Sequence, residues 1–141
     1  MLSRTRYRQV EHTADVKVEI YGRDLGELFS NACFCIFDVM LDSNRIRGQN
    51  SAPVSLESRE LPELFMDWLR ELLFHFSTRS FAVAGVAVAD VDERHINATL
   101  FGEPFDLERH GLKVELKAPT YHQFSIEKSP DGYRATVVFD A

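Results

Sequence analysis

Two apolar stripes of helical period, set in a chain otherwise patterned for strands, constrain this fold more than any other feature. In the first, Leu25, Leu28, Phe29, Ala32, Cys33, Ile36, Phe37 and Met40 recur at i, i+3 and i+4 spacing. That is one face of a helix over residues 25–41. Asp24 stands where an N-cap would accept from the free amides of the first turn. In the second, Leu61, Leu64, Phe65, Trp68, Leu72 and Phe76 predict a helix over residues 61–76. Pro62 falls in its first turn, where a missing N–H costs nothing.

Around the stripes lie shorter segments of strand character. Val16, Val18 and Ile20 alternate with polar residues, as do Ile96, Ala98 and Leu100. Residues 7–10, 53–57, 114–117, 124–127 and 133–139 read as further strands, with Pro53 at a strand start or on an edge. Residues 81–91 predict one long or bent strand with Gly85 as a bulge. Residues 12–14 and 102–106 read as turns, and Ser129-Pro130-Asp131-Gly132 is a hairpin signal. The expected fold is α+β: a single two-layer domain over residues 1–141. It has a mostly antiparallel sheet with two long amphipathic helices on one face.

Composition narrows the function. The 141 residues carry a formal net charge of −6, which argues against a general nucleic-acid binder. No apolar run approaches the roughly 18 residues of a membrane span, and no secretory signal is expected at the start. Cys33 and Cys35 are too few for a disulfide scaffold and miss the C-x-x-C spacing. A cytoplasmic protein without a membrane partner is the expectation. Cys33 belongs to the apolar stripe. Cys35 falls about 200° further round, so the pair cannot ligate from one face.

Chemistry-bearing residues gather in a few short places. Asp15 opens one strand and Asp140 ends the last, with the carboxylate of Ala141 directly after. If those strand ends meet, three negative groups share a corner, and a hard cation would neutralise them. On spacing alone the plainer reading is two solvated aspartates. His12 and His122 belong to no metal-ligand spacing. Lys113 and Lys117 share parity on the strand expected over 114–117, so both point to one face. Arg4, Arg6 and Arg8 form a short basic arm, read as a solvated edge strand. No phosphate-binding glycine loop or nucleophile elbow occurs.

Taken together, the chain resembles the archease family. The resemblance rests on His12-Thr13-Ala14-Asp15-Val16, Tyr21-Gly22, Leu28-Phe29, Phe37-Asp38-Val39-Met40 and Trp68-Leu69-Arg70-Glu71-Leu72-Leu73. It continues through Gly102-Glu103, Phe105-Asp106, His110, Glu115-Leu116-Lys117-Ala118-Pro119-Thr120-Tyr121-His122 and Val138-Phe139-Asp140. It implies an accessory protein, not an enzyme. Its partner would be an RtcB-type RNA ligase of tRNA splicing or RNA repair, whose GTP-dependent guanylylation and repeated turnover it promotes. RNA and GTP would be met only through the ligase. It further implies a divalent cation, Ca²⁺, held by Asp15, Asp140 and Ala141. Lys117 would touch the ligase or its nucleotide, with His12, Glu103, Tyr121 and His122 on the same activating side. Pro119 departs from the family's usual small branched residue, and Ala141 from its Ile or Val. Two other classes compete: a metal-dependent hydrolase using His12, Asp15, His122 and Asp140, and a chaperone-like binding module.

Overall fold

The computed structural model describes residues 5–10 and 15–141. Along the chain run β1 (Tyr7–Val10), β2 (Val16–Gly22), α1 (Leu25–Met40), a 3-10 turn (Ser43–Arg45) and β3 (Asn50–Glu57). There follow α2 (Leu61–Ser77), β4 (Phe81–Val91), β5 (His95–Pro104), the short α3 (Leu107–His110), β6 (Ala118–Ser129) and β7 (Gly132–Asp140). Asp24 caps α1 as expected, accepting from the Glu27 N–H at 2.9 Å. Pro62 occupies the first turn of α2.

The α+β class holds, with the strands divided between two antiparallel sheets. One has the order β1-β2-β7-β6, the other β3-β5-β4. Each long helix touches both: α1 packs on β2 and β4, α2 on β6, β4 and β3. A helix between two sheets must be apolar on more than one side. This is why Cys35 and Val39, outside the stripe read from sequence, are buried with Cys33. The helices meet through Phe29, which sits edge-on to Phe65 at 5.3 Å. The Trp68 indole N–H donates to the Phe29 carbonyl at 3.0 Å.

Other expectations sort by how local their cause is. Pro53 lies in edge strand β3, β4 bends between Val83 and Gly85, and the 129–132 hairpin joins β6 to β7. The 114–117 strand does not form. Lys113 instead donates its Nζ to the Asp38 carbonyl near the C-terminus of α1, at 2.7 Å. The shared parity of Lys113 and Lys117 therefore lapses. The turn placed at 102–106 also fails in its first half, because Gly102, Glu103 and Pro104 continue β5. Arg8 pairs with Glu19 at 2.9 Å, and the Arg6 guanidinium lies 4.2 Å from the Phe34 ring centroid, so these two arginines are engaged within the protein beside and on edge strand β1. His12, Arg4 and the 12–14 turn lie outside the described residues.

Candidate functional site

One end of the four-stranded sheet assembles most of the residues singled out from sequence. The cause is strand register. Val16 and Phe139 face each other with buried side chains. The same register carries Asp15, one residue further, to a place opposite Asp140. Alternation then turns both aspartates away from the core. On the other flank Ala118 pairs with Asp140, and the Lys117 backbone N–H donates to the Asp140 carbonyl at 2.8 Å. Asp15, Asp140 and Lys117 thus arrive on three neighbouring stretches of chain, with Ala141 next along. Lys17 and Val138 are register partners on the same outer side. Val138 is only 1% exposed there. Pro119 sits in edge strand β6, a position that tolerates proline.

Tyr121 and His122 stand on a wide bulge. Thr120 pairs with Val138 and Ser125 with Thr136, so residues 121–124 oppose Val137 alone. Gln123 takes the left-handed conformation, φ 58°, to make the detour. The bulge leaves Tyr121 59% exposed. Its ring lies edge-on to Phe124 at 5.8 Å, and Phe124 stacks on Phe65 at 6.4 Å. From the other side, the Arg70 guanidinium of α2 lies 5.6 Å from the Tyr121 centroid. Sequence reasoning named Tyr121 and His122 but missed Arg70 and Phe124. No short-range pattern joins residue 70 to residue 121.

Glu103 is placed elsewhere, on β5 of the three-stranded sheet, and it is 4% exposed. Its Oε2 accepts from the His110 Nε2 at 2.8 Å and from the Arg47 backbone N–H at 2.9 Å. Its Oε1 meets Arg109 Nη2 at 2.6 Å. The Asp106 N–H donates to His110 Nδ1 at 3.0 Å, which makes the other ring nitrogen the donor to Glu103. First the Arg47 N–H and then the His110 ring hold the Glu103 carboxyl below the usual carboxylate range. This carboxylate ties α3 and the segment after the 3-10 turn to β5.

The donor chemistry of the sheet end suits a hard cation, since Asp15 and Asp140 offer oxygen ligands. Two carboxylates alone would fill only part of the six to eight oxygen positions that Ca²⁺ takes. Among the described residues no group of three or more His, Cys, Asp or Glu gathers to hold a metal. The described members of the hydrolase set, Asp15, His122 and Asp140, form no such group. No helix among the described residues is long and apolar enough to cross a membrane.

Comparison with known proteins places this geometry. Residues 7–141 match the model of the Archease protein family (MTH1598/TM1083). The protein archease of Methanosarcina acetivorans is 37% identical over 139 residues, covering 96% of this chain and 95% of the relative. That of Archaeoglobus fulgidus is 38% identical over 137 residues, covering 96% and 98%. The solution structure of Methanobacterium thermoautotrophicum protein 1598 superposes with a TM-score of 0.80 at 30% identity, covering 96% of this chain and 99% of that one. A Thermotoga maritima crystal structure, at 20% identity and a TM-score of 0.65, shares the fold over 95% of this chain and 96% of its own.

Proposed function

The chain belongs to the archease family, and from that premise we propose that it serves an RtcB-type, GTP-dependent RNA ligase as an accessory protein. It promotes guanylylation of the ligase and lets it turn over many times, in tRNA splicing or RNA repair in the cytoplasm. It performs no covalent chemistry itself, and RNA and GTP reach it only through the ligase. The observation that carries this reading is the convergence of Asp15, Asp140 and Lys117 at one end of the β1-β2-β7-β6 sheet.

In this reading Asp15, Asp140 and Ala141 hold a divalent cation, Ca²⁺, with backbone carbonyls and water completing the oxygen shell. The cation would supply fixed positive charge between the two aspartates. Lys117 reaches the ligase or its bound nucleotide, and its backbone N–H bond to Asp140 couples its position to the carboxylate corner. Tyr121 and His122 belong to the same activating side, and His12 shares their role in activation. Glu103 acts there indirectly, by holding the segment from residue 105 onward in place. A helper of this kind shifts the ligase only by binding its nucleotide-receptive state more tightly than the other.

The test mixes the protein with an RtcB-type ligase from the same organism, GTP, Mn²⁺ and RNA bearing a 3′-phosphate or 2′,3′-cyclic phosphate. Ligation events per ligase should rise well above one only when the protein is present. Asp15→Ala, shown folded by circular dichroism, should abolish the gain. Calorimetry on the isolated protein should give Ca²⁺ binding that Asp140→Asn weakens. Normal stimulation by folded Asp15→Ala would defeat the reading. The Thermotoga relative is described as a possible chaperone. A general chaperone would suppress aggregation of unrelated proteins, whereas this reading requires one specific partner.

A further inference from the structure

We propose that Arg70, on the outer side of α2, joins Tyr121 in the docking surface and receives a carboxylate from the partner protein. The inference rests on the reading that this chain works by docking on a ligase, and it names the chemistry of one contact in that interface. Tyr121 is 59% exposed, and its ring offers apolar area and a hydroxyl at low entropic cost, the combination favoured at interfaces. The ring is also held rigid. Tyr121 abuts Phe124, Phe124 stacks on Phe65, and Phe65 packs on Phe29 in the core. The bulge that presents it keeps a non-glycine residue, Gln123, at φ 58°, a strained conformation of the sort that collects at binding sites.

Arg70 is the second half of the surface. Its side chain is 47% exposed, and among the described residues it forms an ion pair with Asp67 at 3.3 Å. A guanidinium has five N–H donors, so most of its fork stays available. A rigid exposed tyrosine under an arginine has the composition of an interface hot spot. In the proposed function RNA reaches this chain only through the ligase, so the group offered to the fork is a side chain of the ligase and not a nucleic-acid phosphate. The fitting occupant is therefore a protein surface on which an acidic side chain borders a shallow apolar recess. The recess takes the Tyr121 ring and the acid takes the fork.

The experiment measures binding of the full chain to the RtcB-type ligase of the same organism, for wild type, Arg70→Ala, Arg70→Lys, Tyr121→Ala and the Arg70→Ala/Tyr121→Ala double variant. Arg70→Ala and Tyr121→Ala should each weaken binding about tenfold. The double variant should lose less than the product of the two. Arg70→Lys keeps the charge but not the fork and should recover only part of the loss. The salt dependence of the association rate should flatten in Arg70→Ala and be kept in Arg70→Lys, which a merely structural role would not produce. Binding by Arg70→Ala within about twofold of wild type, with an unchanged salt slope, overturns this inference and leaves the accessory role standing. A wild-type protein that neither binds nor stimulates the ligase overturns both.

Discussion

Replacing Glu103 by alanine separates a structural task from a docking one, because the carboxylate is the common acceptor of three groups. Removal strands the His110 Nε2–H, whose side chain is 0% exposed, and the partly buried Arg47 backbone N–H. A buried donor without an acceptor costs about 1–3 kcal/mol, the upper end belonging to the histidine and the lower to the amide that water can reach. Arg109, 36% exposed, is free to turn to solvent and adds little. The sum is about 4 kcal/mol, which for a chain of this size lowers Tm by about 14 °C. Glu103→Gln should fare much better. Its single carbonyl can stand where Oε2 accepts from both His110 and Arg47, leaving the amide toward the exposed arginine. Urea unfolding and calorimetry on the two variants read this directly. Wild-type stability in Glu103→Ala would refute the network, and equal losses in both variants would refute the assignment of Oε2 as the shared acceptor.

The thiols and histidines give further checks. Burial pushes the Cys33 thiol up to about 12 and raises the Cys35 thiol well above its ordinary value. Both should therefore resist a thiol reagent at pH 8 until urea opens the fold, and rapid labelling of the native protein would contradict the burial of α1 on both sides. His75 is 2% exposed, and burial lowers its pKa despite Glu71 at 3.2 Å. Its contribution to stability is complete above the unfolded value near 6.5 and is lost as pH falls below it. His95 behaves oppositely, because Asp90, and then Asp92 at 3.0 Å, raise its pKa. Its contribution is complete below about 6.5 and disappears as pH rises through the folded value. Urea midpoints between pH 5 and 8 should accordingly flatten on the acid side in His75→Gln and on the neutral side in His95→Gln. An unchanged profile in either variant would contradict that assignment.

What the sequence made legible was whatever is encoded within a few residues. The Asp24 cap, the Pro62 start, the Gly85 bend and the 129–132 hairpin each have a local physical cause, and each appears where the local rule puts it. The carboxylate corner was legible as a condition: it required two strand ends to meet, and the β2–β7 register makes them meet. Hidden were features that depend on partners far along the chain. The second apolar side of α1 has meaning only once a second sheet covers it. Pro104 looks like a turn residue until β4 pairs with it through Phe81. Lys117 lost its expected strand because Lys113 is drawn to α1, with its backbone N–H on the Met40 carbonyl at 2.7 Å. The bulge at 121–124 needed knowledge of two registers at once, and neither is written in the residues it displaces.

The place of β7 also sets a schedule. It lies between β2 and β6, so a strand made near the start of the chain finds its neighbour only after about 120 more residues have been added. At ordinary rates of synthesis that is roughly ten seconds in which β2 has no central strand to join. The helices can form early, but the four-stranded sheet cannot close until residue 139 has emerged. The pair Asp15 and Asp140 is then among the last neighbourhoods to come into being. A chain that stops short of β7 lacks the β2–β7 register that brings Asp15 opposite Asp140, so this neighbourhood belongs only to a molecule that carries both strands.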